Sequence, residues 1–323
     1  MVRLHRGMSI PGAHGKKPED RTISELLAAG VVNIDKPQGP TSHQVTAWVK
    51  NIFGVEKSGH LGTLDPRVTG VLPVALNGGV RALDALLLDD KEYVCVMHVH
   101  RPAEEAKIRE VCSAFKGKIY QFPPVRSAVK RQRRIREIYG MDVLEIDGRT
   151  VLFKVRCESG TYVRTLCYDI GEALGTGASM GDLRRTKSAS FMEETAHSLQ
   201  EVRDAWLAWK ELGDDSQLKK VLLPMEALFA HLPKVAVKDS AVDALCHGAS
   251  LAAPGVASLD AGIARGAVVA IMTQKGEVVA LGESLMDGEA MARSADGIAV
   301  RVDRVLMTPG TYPRMWGHSP RAE

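Results

Sequence analysis

The sequence predicts an α+β protein that ends in a small all-β unit. Three observations carry that prediction. Capping-box spacing precedes apolar residues at helical intervals, as in Thr41 and Gln44 ahead of Val45, Trp48, Val49 and Ile52. Alternating runs mark strands, with Tyr93, Cys95, Met97 and Val99 on one face of the first and a second run from Val151 to Cys157. After Leu232-Pro233 the texture changes to short apolar runs and glycine turns, as in Val268 to Met272, Lys275-Gly276 and Val278 to Leu281.

A chain of 323 residues, 45% hydrophobic and 25% charged, can fill more than one core, so two domains are expected. The formal net charge of +3 is unremarkable, and affinity for nucleic acid must come from local patches. The five cysteines (Cys95, Cys112, Cys157, Cys167, Cys246) are odd in number and form no CxxC pair. That argues for a reducing compartment and against a disulfide framework or a zinc ribbon. No run approaches the length of a membrane span, and the amino terminus shows no apolar signal core, so a soluble cytoplasmic protein is expected.

In chain order, residues 1–22 carry Arg3, Arg6, Lys16 and Lys17 with little periodicity and read as a loose arm, ordered only against another part of the chain. Ile23 to Ala29 reads as a short helix ended by Gly30, Val31 to Ile34 as a strand, and residues 42–53 as a helix. Ile108, Val111, Cys112 and Phe115 give the next helix, stopped at Gly117. The strand from Val151 turns through Glu158-Ser159-Gly160 into a helix with Val163, Leu166, Ile170 and Leu174 on one side and Gly175 beyond its end. Ser198 and Glu201 open a further capping-box helix with Val202, Trp206 and Trp209.

The stretch that suggests chemistry is SGHLGTLDPRVTGVLPVA, from Ser58 to Ala75. Gly59, Gly62 and Gly70 mark a shaped loop, and Pro66 biases Asp65 towards an extended conformation that aims its side chain. The apolar run from Val71 to Leu76 anchors the loop to a buried strand. From the residues alone Asp65 is either a presented nucleophile or the closing residue of a turn. His98 and His100 share a strand face, but no further metal ligands stand near them in sequence. The segment from Arg126 to Arg136 holds six positive residues (Arg126, Lys130, Arg131, Arg133, Arg134, Arg136) and no acid, between Tyr120 and Tyr139. It is a solvated charged face or an RNA-binding segment, and about six phosphate contacts would give a log–log salt slope of about −4 on a single strand.

HLGTLDPRVTGVLPVAL resembles the catalytic motif of the TruB-type pseudouridine synthases, in the form of the archaeal and eukaryotic dyskerin branch. The segments KPQGPTSH (Lys36 to His43), QFPPVRSAVKR and SGTYVRTLCYDIGEALGTGASMGDLRRT are similar to further family segments, and residues 235–307 resemble the PUA RNA-binding domain. The family's Gly-Asp before a PUA strand is here Gly266-Ala267, which puts one turn contact in doubt. The resemblance implies a catalytic domain with a mixed, mainly antiparallel sheet flanked by helices, followed by a small β-barrel-like PUA domain. The expected boundaries are an arm over 1–22, the catalytic domain over 23–231, the PUA domain over 232–310 and a tail over 311–323.

The resemblance also implies roles. Asp65 matches the nucleophile, Arg164 the arginine that pairs with it, and Tyr93 the tyrosine that stacks on the extruded base and assists proton transfer. His60, Tyr162 and Leu183 would line the substrate pocket. RNA would be held by Lys36, Arg126, Lys130, Arg131, Arg133, Arg134, Arg184 and Arg185, and on the PUA domain by Gly248, Ala249 and Gly255. Isomerising uridine breaks N1–C1′ and remakes the link through C5, with the base as both leaving group and nucleophile, so no cofactor and no metal are expected. The implied partners are an H/ACA guide RNA, substrate RNA in rRNA or tRNA, small Nop-type and Gar-type proteins, and a kink-turn-binding ribosomal-like protein held through the RNA. Three other readings fit parts of the pattern: a stand-alone synthase for the tRNA T arm, a non-catalytic RNA-binding scaffold, and an aspartyl-phosphate phosphotransferase. The last usually has a second aspartate two residues on, where this chain has Arg67.

Overall fold

A computed structural model of the chain describes residues 3–5, 12–86, 90–123 and 132–314. The chain separates into two compact units, one formed by Leu27–Leu223 and the other by Met1–Leu26 together with Pro224–Glu323.

The first elements are a strand, β1 (Arg3–His5), and a helix, α1 (Ile23–Ala29). The larger unit then runs β2 (Gly30–Lys36), α2 (Ser42–Phe53), β3 (Ser58–His60), β4 (Thr69–Leu76) and β5 (Lys91–Val99). It continues through α3 (Glu105–Ala114), β6 (Gly117–Gln121), β7 (Arg134–Asp147), β8 (Thr150–Cys157), α4 (Val163–Leu174) and β9 (Ala178–Ser188). β10 (Phe191–Met192), α5 (Leu199–Leu212), α6 (Leu218–Val221) and β11 (Leu222–Pro224) complete its sheet. The strand order is β11-β2-β4-β9-β5-β8-β7-β6, with β3 on β4 and β10 on β9. β4 and β9 pair in parallel, whereas β2–β4, β5–β8, β5–β9, β6–β7 and β7–β8 are antiparallel, so the sheet is mixed and mainly antiparallel as expected.

Local signals set the helices. Thr41 and Ser198 both close complete capping boxes, with Gln44 and Glu201 reaching back to the cap nitrogens. Gly54, Gly175 and Gly213 end α2, α4 and α5 in the left-handed conformation, which costs glycine no Cβ clash. α4 buries Val163, Leu166 and Ile170 in a core shared with Cys95 and Met97 of β5, Phe153 and Val155 of β8, and Ile108 of α3. Each such aliphatic side chain stabilises the fold by about 1.5–3 kcal/mol relative to exposure.

The smaller unit holds β12 (Lys234–Val237), α7 (Asp239–Cys246), β13 (Leu251–Ala252), β14 (Val256–Asp260), β15 (Val268–Thr273), β16 (Val278–Ser284), α8 (Gly288–Arg293) and β17 (Ile298–Val305). Its sheet has the order β1-β14-β12-β15-β16-β17-β13. β1 adds an edge to six strands of the C-terminal segment, Arg3 opposite Asp260 and His5 opposite Ser258. The described residues of the arm are thus ordered against the C-terminal segment, through β1 and again further along. The Gly12 amide donates to Asp239 Oδ2 at 2.8 Å, and the Lys16 amide donates to Glu277 Oε1 at 3.0 Å.

The smaller unit also takes in residues from Pro224 onward, and there Glu226 accepts a forked pair from Arg21 and also the Val278 amide. Tyr312 is buried in the smaller core and donates its hydroxyl to Glu277 Oε2 at 2.7 Å.

Candidate active site

β3 and β4 form an antiparallel pair, with Ser58 opposite Leu76 and His60 opposite Val74, and residues 61–68 make the connection. Leu61, Leu64 and Val68 are buried and pin this loop to the core. Asp65 therefore has nowhere to point but outward, and its side chain is 59% exposed. The Val68 amide donates to the Asp65 carbonyl at 3.0 Å, closing a turn with proline in its favoured second position. Asp65 is thus both the first residue of a turn and an exposed carboxylate.

The KPQGPTSH segment braces that turn from behind. Ser42 Oγ accepts from the Leu64 amide at 2.8 Å and donates to the Leu64 carbonyl at 3.0 Å. The Gly39 amide donates to the Pro66 carbonyl at 2.8 Å. Lys36 is fully buried, and its ammonium donates to the carbonyls of Pro37 (2.9 Å), Pro66 (3.2 Å) and Val68 (2.8 Å). Burial pulls the Lys36 ammonium below its ordinary pKa, with the Asp65 charge acting in the opposite sense. Lys36 was expected to hold RNA. The structure corrects this: an ammonium with all three protons on backbone carbonyls inside the protein has none for a phosphate.

Arg164 approaches Asp65 from the first turn of α4. Its Nη2 donates to Asp65 Oδ2 at 2.8 Å, and its side chain is 52% exposed. Tyr162 caps that helix without a side-chain cap bond, and Gln121 holds its backbone on both sides, donating to the carbonyl and accepting from the amide. Tyr93 lies on β5, half-buried, directly opposite Arg185 of β9. Burial raises the Tyr93 phenol above its ordinary pKa and the nearby Arg185 guanidinium opposes that rise, while the Asp65 charge adds to it. Leu183 is half-buried and pairs with Cys95, two residues along β5 from Tyr93. His60 accepts or donates at both nitrogens, to Thr46 Oγ1 (3.1 Å) and Thr63 Oγ1 (3.3 Å), and meets the His43 ring edge-on at 4.8 Å. Burial, then His43 and Arg185, depress its pKa to about 4, so it is neutral near pH 7. Asp65, Arg164, Tyr93, Leu183 and His60 thus belong to one region of the larger unit.

The two arginines of GDLRRT differ from expectation. Arg185 is 1% exposed, with Nε on the Val71 carbonyl (2.7 Å) and Nη2 on those of Gly62 (3.0 Å) and Leu61 (3.3 Å). It faces inward and does not reach a phosphate. Arg184 is already paired twice, with Asp35 through a fork at 3.0 and 3.1 Å and with Glu193 at 2.8 Å. Strand period explains the split, since adjacent residues of β9 point to opposite faces. Sequence reading missed β9 altogether, because its residues do not alternate cleanly between apolar and polar. The signal that could have found the inward arginine was Gly70. Gly70 pairs with Arg185 across the parallel junction, has φ of +101°, and a Cβ there would lie 2.2 Å from the Arg185 carbonyl oxygen.

Of the basic segment, Arg126, Lys130 and Arg131 lie outside the described residues. Arg133 stacks over the exposed Tyr120 ring at 4.9 Å, Arg134 opens β7, and Arg136 pairs with Glu158 at 3.1 Å. In the smaller unit Gly248 and Ala249 are exposed just after α7, with Gly248 at φ +87°, and Gly255 is half-buried with its carbonyl bonded to the Lys238 amide. His98 and His100 lie beside Thr150 and Gly177 respectively, and among the described residues no group of three metal-ligating side chains includes them.

Comparison with known proteins places the chain among described families. Residues 50–163 match the family described as TruB family pseudouridylate synthase (N terminal domain), and residues 164–230 match the tRNA pseudouridylate synthase B C-terminal domain. Residues 233–306 match the PUA domain and residues 3–46 the DKCLD (NUC011) domain. A "Probable tRNA pseudouridine synthase B" of Methanosarcina barkeri is 52% identical over 316 residues, covering 98% of this chain and 93% of that protein. A protein of the same description from Methanopyrus kandleri is 53% identical over 304 residues, covering 94% and 90%. Among solved structures, one titled as a Cbf5-Nop10-Gar1 complex superposes with a TM-score of 0.90 at 50% identity, covering 97% of this chain and 96% of that one. A second, titled as an H/ACA RNP bound to a substrate RNA containing 2′-deoxyuridine, gives 0.89 at 48%, covering 98% and 97%.

Proposed function

The chain belongs to the TruB family of pseudouridylate synthases, and from that premise we propose that it isomerises uridine to pseudouridine as the catalytic subunit of an H/ACA guide-RNA particle, with Asp65 as nucleophile. The observation that carries the assignment is the 2.8 Å pair between Asp65 and Arg164, offered to solvent on a loop whose backbone is held from behind. An exposed pair of this kind is worth under about 1 kcal/mol to stability, so its geometry is better understood as preparation for a ligand.

The target uridine leaves its stack, at a cost of a few kcal/mol, and enters beside Asp65. The Tyr93 ring recovers part of that cost by stacking, which is worth about 1–3 kcal/mol per base. The Asp65 carboxylate acts at the sugar, breaking N1–C1′ with the electron pair going to the uracil. The detached base turns, C5 bonds to C1′, and the proton on C5 passes to N1. Arg164 fixes the carboxylate oxygen that does not react, Leu183 keeps water from the detached base, and neutral His60 with Tyr162 completes the wall. Arg133 and Arg134, with Arg126, Lys130 and Arg131 beside them in sequence, hold the RNA backbone, and the exposed Gly248–Ala249 turn with Gly255 receives the guide RNA on the PUA domain.

The full-length likeness to the Cbf5 complexes supports assembly with Nop-type and Gar-type proteins, guide RNA and substrate RNA. A kink-turn-binding protein would join through the RNA. Five buried free thiols support a reducing, cytoplasmic setting. The names of the relatives favour a second reading, direct modification of tRNA without a guide. Reconstitution with and without guide RNA and partner proteins separates the two. The guided reading expects pseudouridine in the guide-specified target only when the guide is present. Equal yield on bare tRNA without guide or partners would replace it with the stand-alone one. Asp65→Asn should bind RNA and form no pseudouridine, and retained activity in that variant would remove the nucleophile assignment.

A further inference from the structure

We propose that Arg185 is a positioning residue for the proton transfer from C5 to N1, holding the Tyr93 phenol in place and stabilising the phenolate it becomes during that transfer. This rests on the reading of Tyr93 given above. Three observations carry it. Arg185 and Tyr93 are directly opposed across the β5–β9 pair, next to a bulge between Glu92 and Tyr93 that re-aims the tyrosine. The guanidinium is 1% exposed and among the described residues its hydrogen bonds go to backbone carbonyls and to no carboxylate, so its charge has no carboxylate counterion there. Loop-holding alone would be served by neutral donors, and burying an unpaired cation is costly unless something uses the charge. Nε and Nη2 are committed to the carbonyls of Val71, Leu61 and Gly62, which fixes the plane of the group on the strand position facing Tyr93.

The step balances without an added reagent. Once C5 has bonded to C1′, the base is an adduct with hydrogen still on C5 and a C=N bond at N1. The Tyr93 O–H gives its proton to N1 and becomes a phenolate. The phenolate takes the proton from C5, the ring regains its unsaturation, and Tyr93 ends as it began. The titratable groups that act on the phenol are Arg185 from β9, the Asp65 carboxylate from the loop and Cys157 from β8, whose thiol burial pushes up to about 12 and so keeps neutral. Of the two charged groups, the guanidinium favours a phenolate and the carboxylate disfavours it. Arg185 also helps to keep neighbouring His60 neutral, which leaves Tyr93 without a competing imidazolium.

The test uses single-turnover pseudouridine formation by the assembled particle, on target RNA carrying hydrogen or deuterium at C5 of the uridine. Arg185→Gln should slow the reaction about 10–100-fold, the loss expected for one charge-assisted hydrogen bond, and should enlarge the deuterium isotope effect. Replacing Tyr93 in that variant with a difluorinated tyrosine, whose phenol ionises more readily, should restore part of the rate. A slower reaction with an unchanged isotope effect and no rescue would overturn the proposal and leave Arg185 a loop brace. If R185Q does not fold, R185K keeps the charge but loses the fork; a smaller loss with the same rescue is then expected, and no rescue again overturns the proposal. Tyr93→Phe separates the two levels: native rate with a native isotope effect in that variant removes the proton role of Tyr93 itself. A slow Y93F alongside an unrescued Arg185 variant removes only the role of Arg185.

Discussion

Lys36→Met isolates the difference between holding RNA and holding the catalytic turn. The substitution keeps the apolar stem but withdraws three donors at 2.8–3.2 Å, leaving the carbonyls of Pro37, Pro66 and Val68 without that partner. The Pro66 carbonyl keeps the Gly39 amide, while each acceptor left stranded in the interior costs about 1–3 kcal/mol and removing a buried charge returns part of the loss. A net destabilisation of about 2–3 kcal/mol follows, lowering the Tm of a unit this size by about 4–12 °C. Pro66 and Val68 flank the Asp65 turn, so its relaxation displaces the carboxylate, and a shift of about 1 Å costs about 100-fold in rate. Thermal melts, single-turnover rates and RNA affinity across a salt series read the three quantities separately. The expected result is a lower Tm, a slower chemical step and an unchanged salt slope. A slope shallower by about 0.7–0.9, with native Tm and rate, would mean that Lys36 neutralises a phosphate, and would refute the reasoning.

Gly70→Ala should cost about 3–4 kcal/mol in urea melts, because φ is +101° and the new Cβ would lie 2.2 Å from the Arg185 carbonyl oxygen; a loss under about 1 kcal/mol would show that the β4–β9 junction yields easily. His60, held at about pKa 4, gives a pH test with a definite sign. The unfolded chain takes up the proton near pH 6.5 and the folded chain only near 4. Stability should therefore be full above pH 6.5 and fall by at most about 3 kcal/mol as pH drops through 4. His60→Gln should flatten that part of the stability curve, and an identical acid limb would contradict the depressed imidazole. Arg184→Ala should leave the salt slope of RNA binding unchanged and alter stability by no more than about 1 kcal/mol, since its partly exposed guanidinium is already shared by Asp35 and Glu193. A slope reduced by about 0.7 would return Arg184 to the RNA interface.

The elements legible in the sequence were those specified by neighbours in the chain. Capping boxes at Thr41 and Ser198, the left-handed glycine at 175, and the alternation along β5 and β8 are local devices, and each appears where its pattern predicted. The long motif around Asp65 likewise marked a shaped loop with a carboxylate on it, because glycines, a proline and an apolar anchor act within a few residues of it. What the chain could not announce was which cation faces which way. Lys36, Arg184 and Arg185 look alike as letters, and a basic residue near a nucleic-acid motif invites a phosphate. Their roles were decided by β9 entering the sheet between β4 and β5. That placement turns Arg185 inward against Tyr93 and Gly62, sends Arg184 to Asp35, and lets the end of β2 deliver Lys36 beneath the Asp65 turn. The physical reason is distance along the chain. Arg185 bonds a carbonyl 123 residues away and Arg164 a carboxylate 99 residues away, and no local periodicity encodes a partner that only the closed sheet brings into reach.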